Sequence, residues 1–254
     1  MRGRAAYQLL PFLFGVASLL AFLVLVEVLI LHGSINPFIV PRPSDVAFSF
    51  ERIVAEEHVF SRFMLTFGEA MAATVMLSVF GIALGVLLHR VRIVRLATET
   101  WIAAMASAPL VLMYPLFLVM FGRSAWTIIM IAFVAALPPV ILKTLEGLSG
   151  TRQVLIDVGR SFKLTTAQQF WKILFPAALP SIFVGLRLGM IFALINIVGV
   201  EFLINFGGLG QLINELAERY DLPGTYAAIL FVILVSVCFF AVSERAERWL
   251  RPID

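Results

Sequence analysis

Charge is what this chain has least of. Only 14% of its 254 residues are Asp, Glu, Lys or Arg, against 61% hydrophobic, and the mean hydropathy is +1.00. A soluble domain of this length buries an adequate core with far less apolar content, so the composition describes an integral membrane chain. Cysteine is nearly absent. Cys238 stands alone in an apolar run, which excludes an intrachain disulfide. His32, His58 and His89 are far apart and form no HExxH or i,i+4 pair, so no metal site is expected. Lys143, Lys163 and Lys172 are the only lysines, and none completes GxxxxGK[ST], so nucleotide must be bound by another polypeptide. No serine elbow, paired carboxylates at catalytic spacing or Cys/His couple appears, so no catalytic residue and no cofactor are expected on this chain. The net charge of +3 is small and unevenly placed; it speaks of membrane topology and not of nucleic acid.

What is present is a series of long apolar runs. A bilayer core of about 30 Å needs roughly 20 residues per helix. On that measure spans are predicted at about 9–31, 65–88, 101–121, 125–142, 181–205 and 226–243. The N-terminal run after MRGR is too long for a signal peptide core and no small-x-small site follows it, so it reads as the first span. Pro138-Pro139 predicts a kink or break near the end of the fourth. Six spans put both termini on one side. Arg42, Arg52, Arg62, Arg123 and Arg219 fall on the opposite face and Arg187 just inside the fifth span, while every other Lys and Arg shares the face of the termini. The positive-inside rule makes that face, with the 143–180 loop, cytoplasmic. The expected fold is an all-α, polytopic membrane helix bundle of about six transmembrane helices. It forms a single domain over 1–254, with the first span and outer loop in 1–64 and a core region in 65–250.

Outside the membrane, the 32–64 loop opens with a Pro-stiffened segment and continues as an amphipathic helix with Ser44 as its cap and Val46, Phe50, Ile53 and Val54 as its apolar stripe. Gly81-x-x-x-Gly85 and Gly185-x-x-x-Gly189 permit close helix approach within the subunit. Trp101, Trp126, Trp171 and Trp249 fall near span ends, as interfacial aromatics do. Phe206-Gly207-Gly208-Leu209-Gly210 follows a span and lacks a strand–turn–helix setting, so it reads as a turn and not a phosphate cradle. Polar residues inside the spans are few: Glu27, Glu69, Arg187, Asn196, Glu201 and Asn205. Glu27, Glu69 and Arg187 lie near span ends, where snorkelling or pairing is expected. Asn196 and Glu201 either line a translocation route or make interhelical hydrogen bonds.

The remaining feature is Asp157 to Pro180, DVGRSFKLTTAQQFWKILFPAALP, a polar interruption between apolar blocks. It reads as helix, turn, helix. Thr165 and Gln168 have the spacing of a capping box. Val158, Phe162, Phe170, Ile173 and Leu174 supply apolar contacts, and Pro176 and Pro180 are expected to end the second helix. The segment resembles the cytoplasmic EAA loop of permease subunits of ATP-binding-cassette importers, EAA, three residues, Gly, nine residues, I-x-L-P. Asp157-Val158-Gly159 stands at EAA, Lys163 at Gly, Ile173 at Ile and Phe175-Pro176 at Leu-Pro. The spacing is intact, with Asp for Glu, Lys for Gly and Phe for Leu. Residues 37–44, PFIVPRPS, are similar to the FLLPSPS stretch after the first span, and 176–189, PAALPSIFVGLRLG, are close to the family's wording.

The resemblance covers most of 36–250. It points to the binding-protein-dependent type I branch that imports sulfonates, taurine, nitrate and thiamine-precursor pyrimidines. It implies a multi-pass subunit of the bacterial inner membrane working by alternating access. The implied partners are a cytosolic ABC ATPase dimer carrying ATP and Mg, a second permease copy as homodimer or heterodimer, a periplasmic or lipid-anchored substrate-binding protein, and membrane lipid. The coupling residues it implies are Asp157, Val158, Gly159, Phe162, Lys163, Leu164 and Thr165. The alternative is a non-transporting membrane scaffold that docks a cytosolic ATPase.

Overall fold

A computed structural model describes the backbone of residues 2–250 and the side chains of 10, 11 and 13–245. The topology and interface expectations that rest on Arg2, Arg4, Arg248, Trp249 and Arg251 fall outside the described side chains. The described chain is helical, with no strand among these residues: α1 (Arg2–Leu31), α2 (Pro43–Glu56), α3 (Val59–Met76), α4 (Ile82–Arg90), α5 (Arg92–Ser107), α6 (Tyr114–Phe121), α7 (Ala125–Ser149), α8 (Gln153–Ser161), α9 (Thr166–Gln169), α10 (Phe175–Ile204), α11 (Gly208–Glu218) and α12 (Leu222–Leu250). Widened π-helical turns at Leu77–Gly81 and Phe170–Leu174 join α3 to α4 and α9 to α10. Five stretches are long and apolar enough to cross a membrane: Leu13–Leu31, Val59–Arg90, Ala125–Ser149, Thr166–Ile204 and Leu222–Arg245.

The predicted third span is not one helix. Pro109 forces Ala108 into extended backbone, ψ 135°, so α5 stops at Ser107. Arg92–Ser107 and Leu110–Phe121 are bent by 92° and together would make the sixth crossing. The predicted break at Pro138-Pro139 does not occur, and α7 runs unbroken to Ser149. Neighbouring helices hold it. A Cβ placed on Gly81 would lie 2.7 Å from Val140 Cγ1, and one on Gly85 2.5 Å from Thr144 Cβ. On the α10 side, Gly185 approaches Lys143 Cβ and the Pro139 carbonyl, and Gly189 approaches Val140 Cγ2 and the Ala136 carbonyl. Both glycine pairs therefore clamp the proline-bearing stretch of α7, which is how membrane helices tolerate such residues.

The chain forms two compact units. One comprises the chain up to Phe60 with Leu212–Phe231; the other comprises Ser61–Gln211 and the chain from Val232 onward. In the first, α2 is tied to α1 and to the start of α12. Ser44 does not cap α2. Arg42 takes the cap position, with Pro43 in the first turn, while the Ser44 backbone N–H and hydroxyl donate to the two Glu27 oxygens at 3.1 and 2.7 Å. Glu27 thus supplies the anion that a helix N-terminus favours. Val46 and Ile53 are buried and Phe50 packs on Phe231, but Val54 is half exposed, so the stripe is narrower than predicted. Asp221 caps α12 by accepting the Gly224 N–H at 3.1 Å and also pairs with Arg52, whose guanidinium it holds above its ordinary pKa through that hydrogen bond.

In the second unit α7 is central. Ile128, Ile131, Ala132, Ala136 and Val140 pack against Ala73 and Leu77 on one side and Ala193, Ile197 and Val200 of α10 on the other. Trp101, Trp126 and Trp171 remain exposed; Trp126 sits at the start of α7 and Trp171 near the start of the Thr166–Ile204 stretch, whereas Trp101 lies within α5.

Candidate coupling loop and the Glu201 cluster

The predicted helix–turn–helix is built from α8, a turn and α9. At its end α8 closes with the Lys163 N–H on the Arg160 carbonyl (2.8 Å) and the Leu164 N–H on the Gly159 carbonyl (3.0 Å). That pair of bonds requires a left-handed residue between them, and Lys163 supplies it at φ +52°. The lysine therefore adopts the conformation a glycine would take there, at a cost of roughly 1 kcal/mol. Next comes the capping box. Thr165 N–H donates to Gln168 Oε1 at 2.9 Å and Gln168 N–H to Thr165 Oγ1 at 3.3 Å.

Two expectations about this loop need correction. Pro176 and Pro180 do not end the second helix, because Thr166–Ile204 is one continuous span. Phe175 N–H bonds five residues back to the Phe170 carbonyl, and this widened turn precedes Pro176, whose missing N–H then falls in the first turn of α10. Nor do all the named apolar residues turn inward. Phe170 is buried and Ile173 and Leu174 are half-buried, but Val158 is 47% and Phe162 77% exposed. With Val154, Leu155 and Trp171 they leave an uncovered apolar face.

That face rides on a firm base. Gly159 is buried, with Ile173 Cδ1 2.5 Å from where its Cβ would stand, so a side chain there would push α8 away. Gln169 Nε2 donates to the Ile156 carbonyl at 3.1 Å. Arg90, at the end of α4, lies over the Phe170 ring at 4.7 Å, connecting the loop to the neighbouring Val59–Arg90 span. Asp157 is exposed and pairs with Arg160 at 3.3 Å, and Leu164 is half-buried. Val154, Leu155 and Trp171 were missed in the sequence as part of this face, although Val154, Leu155, Val158 and Phe162 already show an i, i+1, i+4, i+8 stripe.

Asn196 and Glu201, the two pathway candidates, have different surroundings. Asn196 is half-buried and its amide donates back to the Phe192 carbonyl at 2.8 Å. Glu201 is wholly enclosed, with 0% exposure. Thr66 Oγ1 donates to its Oε1 at 2.7 Å and Gly210 N–H to its Oε2 at 2.8 Å, while Leu209 N–H donates to Thr66 Oγ1 at 2.9 Å. Glu201 thus accepts the Gly210 N–H directly and holds the Leu209 N–H through Thr66, at the start of α11, where no intrahelical acceptor exists. The carboxylate touches Gly208 so closely that a Cβ there would overlap it, and Gly207 and Gly208 have φ +119° and +77°. The glycine-rich turn is thus shaped around a buried carboxylate of its own chain. Glu69 is buried beside Glu201, with both oxygens lacking a hydrogen-bond partner among the described residues. Arg123 donates to the carbonyl of Asn205, the left-handed residue that ends α10.

Residues 77–252 match the family described as the binding-protein-dependent transport system inner membrane component. The formylaminopyrimidine transport permease protein ThiX of Halalkalibacterium halodurans is 25% identical over 217 residues, which cover 85% of this chain and 86% of that protein. The taurine transport system permease protein TauC of Escherichia coli is 25% identical, over 85% of this chain and 82% of its own. The nitrate import permease protein NrtB of Synechocystis is 30% identical over 63% of this chain and 58% of its own. Among solved structures, an inward-facing conformation of the MetNI methionine ABC transporter superposes with a TM-score of 0.66 at 19% identity, over 75% of this chain and 94% of that one. At that identity the likeness speaks for the fold alone. The family match runs from the π turn at Leu77 through the loop and the Glu201 cluster into α12, and the chain therefore belongs to the binding-protein-dependent transport system inner membrane components, the membrane-spanning permease subunits of ABC importers.

Proposed function

We propose that this permease forms half of a solute pathway in the bacterial cytoplasmic membrane and that a cytosolic ABC ATPase drives it by gripping the 157–175 loop. The observation that carries the reading is the uncovered apolar face of Val154, Leu155, Val158, Phe162 and Trp171 on a capped, rigid loop. The chain offers no P-loop of its own. A rigid apolar projection suits transmission of force, because closure of an ATPase cleft around it moves α8, α9 and the continuous Thr166–Ile204 helix together. The excess of Lys and Arg on the loop side supports a cytoplasmic loop and cytoplasmic termini. ATP and Mg belong on the ATPase, and a second permease copy with two-fold symmetry completes the pathway.

The named relatives support a small solute of the taurine, nitrate or formylaminopyrimidine kind, delivered by a substrate-binding protein. Asn196 is the polar side chain proposed to meet that solute. Glu201 is proposed to act behind the wall, holding the turn before α11. Cross-linking tests the docking. A cysteine at position 162 in a Cys238→Ser background should form an adduct with the co-expressed ATPase, and one at position 48 should not. Equal adducts from both, or none from 162, would dismiss the docking.

A further inference from the structure

We propose that a cavity beside the start of α5 is a binding site for the headgroup of an anionic phospholipid. The cavity measures about 530 Å³ and is lined by His89 of α4, by Arg92, Arg95, Leu96 and Glu99 of α5, and by Ser149 at the end of α7. It lies where the apolar stretches Val59–Arg90 and Ala125–Ser149 both end, which is where a span passes from hydrocarbon into water. The inference rests on the membrane reading of that span and is independent of the solute carried.

The lining is built to receive an anion. Arg92, Arg95, Leu96 and Glu99 are spaced i, i+3, i+4, i+7 and so share one face of α5. Glu99 accepts Arg95 Nε at 2.8 Å, which neutralises one arginine and fixes it. Arg92 has no ion pair among the described residues, so the cavity keeps a surplus positive charge. Ser149 Oγ lies 3.3 Å from His89 Nδ1 and 3.4 Å from Arg95 Nη1, placing three polar groups from three helices around one point. A phosphodiester, with one negative charge and two free oxygens, matches this set.

The neighbouring surface chooses between a lipid and a free phosphate. Leu96 is 69% and Ile93 81% exposed, and no residue of α5 is buried. The first two turns of α5, ahead of the apolar stretch that enters the bent crossing, carry Arg92, Arg95 and Glu99 and have the amphipathic, charged character of a membrane-interface segment. A water-soluble anion gains nothing from those exposed aliphatic groups, whereas the acyl chains of a lipid cover them. Basic pockets between spans at a membrane face are also where anionic headgroups are recognised.

Native mass spectrometry of the full-length protein in detergent tests this, titrating phosphatidylglycerol, phosphatidylcholine and, separately, inorganic phosphate. Phosphatidylglycerol should be retained over phosphatidylcholine. Arg92→Gln should weaken its retention about fivefold, and Arg92→Gln with Arg95→Gln about 25-fold. Ser149→Ala, which leaves every charge in place, should weaken it a few-fold and keeps the test open if the double variant misfolds. Arg160→Gln, an exposed arginine outside the cavity, should leave it unchanged. Equal retention of the two lipids, or no response to Arg92→Gln, overturns the proposal. Displacement of phosphatidylglycerol by millimolar inorganic phosphate would make this a free-phosphate site and overturns the lipid assignment. ATPase cross-linking at position 162 is scored apart, so loss of lipid preference leaves the transport reading standing.

Discussion

Glu201→Ala removes the acceptor for Thr66 Oγ1 and for the Gly210 N–H. Thr66 recovers in part, because its hydroxyl already lies 3.3 Å from the Arg62 carbonyl. The Gly210 N–H has no such recourse, and stranding one buried donor costs about 1–3 kcal/mol. The space vacated by the carboxylate adds to this, so a total of about 2–5 kcal/mol is expected. Thr66→Val keeps the shape but strands the Leu209 N–H, for about 1–3 kcal/mol. Glu201→Gln can keep only one of its two accepted bonds and should cost about 1–2 kcal/mol. Because Glu201→Gln and Thr66→Val both break the same hydrogen bond, the double variant should lose less than the sum by about 0.5–1.5 kcal/mol. Thermal unfolding of the detergent-solubilised protein reads these as falls in Tm of about 5–15 °C for Glu201→Ala and proportionately less for the others. A Glu201→Ala protein within about 2 °C of wild type would refute the capping argument. A changed solute preference in Glu201→Gln, with Tm unaltered, would return Glu201 to the pathway.

Three further outcomes are expected. Lys163→Gly should leave stability within about 1 kcal/mol, because relief of the left-handed strain is offset by lost helix-dipole attraction and by the flexibility of unfolded glycine. It should weaken ATPase assembly at low salt only, and identical assembly at both salt concentrations would leave Lys163 a solvated side chain. Gly159→Leu should separate α8 from Ile173 and reduce coupled uptake at least tenfold while the protein still inserts, since overpacking here costs about 1–3 kcal/mol; normal uptake would mean the loop needs no rigid base. In a Cys238→Ser background, a cysteine at position 48 should react with an impermeant reagent from outside and one at 165 only after permeabilisation. The opposite pattern would invert the topology.

The loop was legible because its signals are local. A capping box spans four residues, and the left-handed end of α8 sits where the family pattern has glycine. Proline was the least reliable guide. Pro176 and Pro180 were read as stops and Pro138-Pro139 as a kink or break, yet all four lie in helices that continue; a π turn precedes Pro176, and a glycine clamp holds the Pro138-Pro139 stretch. Pro109 broke a span that hydropathy alone had joined, since apolar content averaged over a window is blind to one pre-proline residue. The Glu201 cluster was illegible for a different reason. Thr66 and Glu201 are 135 residues apart, and only the packing of α3 against α10 reveals the acceptor that the turn after Asn205 requires. An acidic residue shortly before a glycine-rich turn and an amphipathic stretch was the one available hint.

If the 157–175 loop carries the motion of the ATPase into the membrane, Phe162→Asp should uncouple the importer. Phe162 is 77% exposed, so the substitution should leave insertion and Tm unchanged. At an interface centre the lost aromatic costs about 2–4 kcal/mol, and an unpaired charge left there adds several more. In proteoliposomes holding the complete importer, ATP-dependent uptake should fall at least thirtyfold while the amount of inserted permease stays the same. Wild-type uptake by that variant would mean that the loop does not transmit the motion.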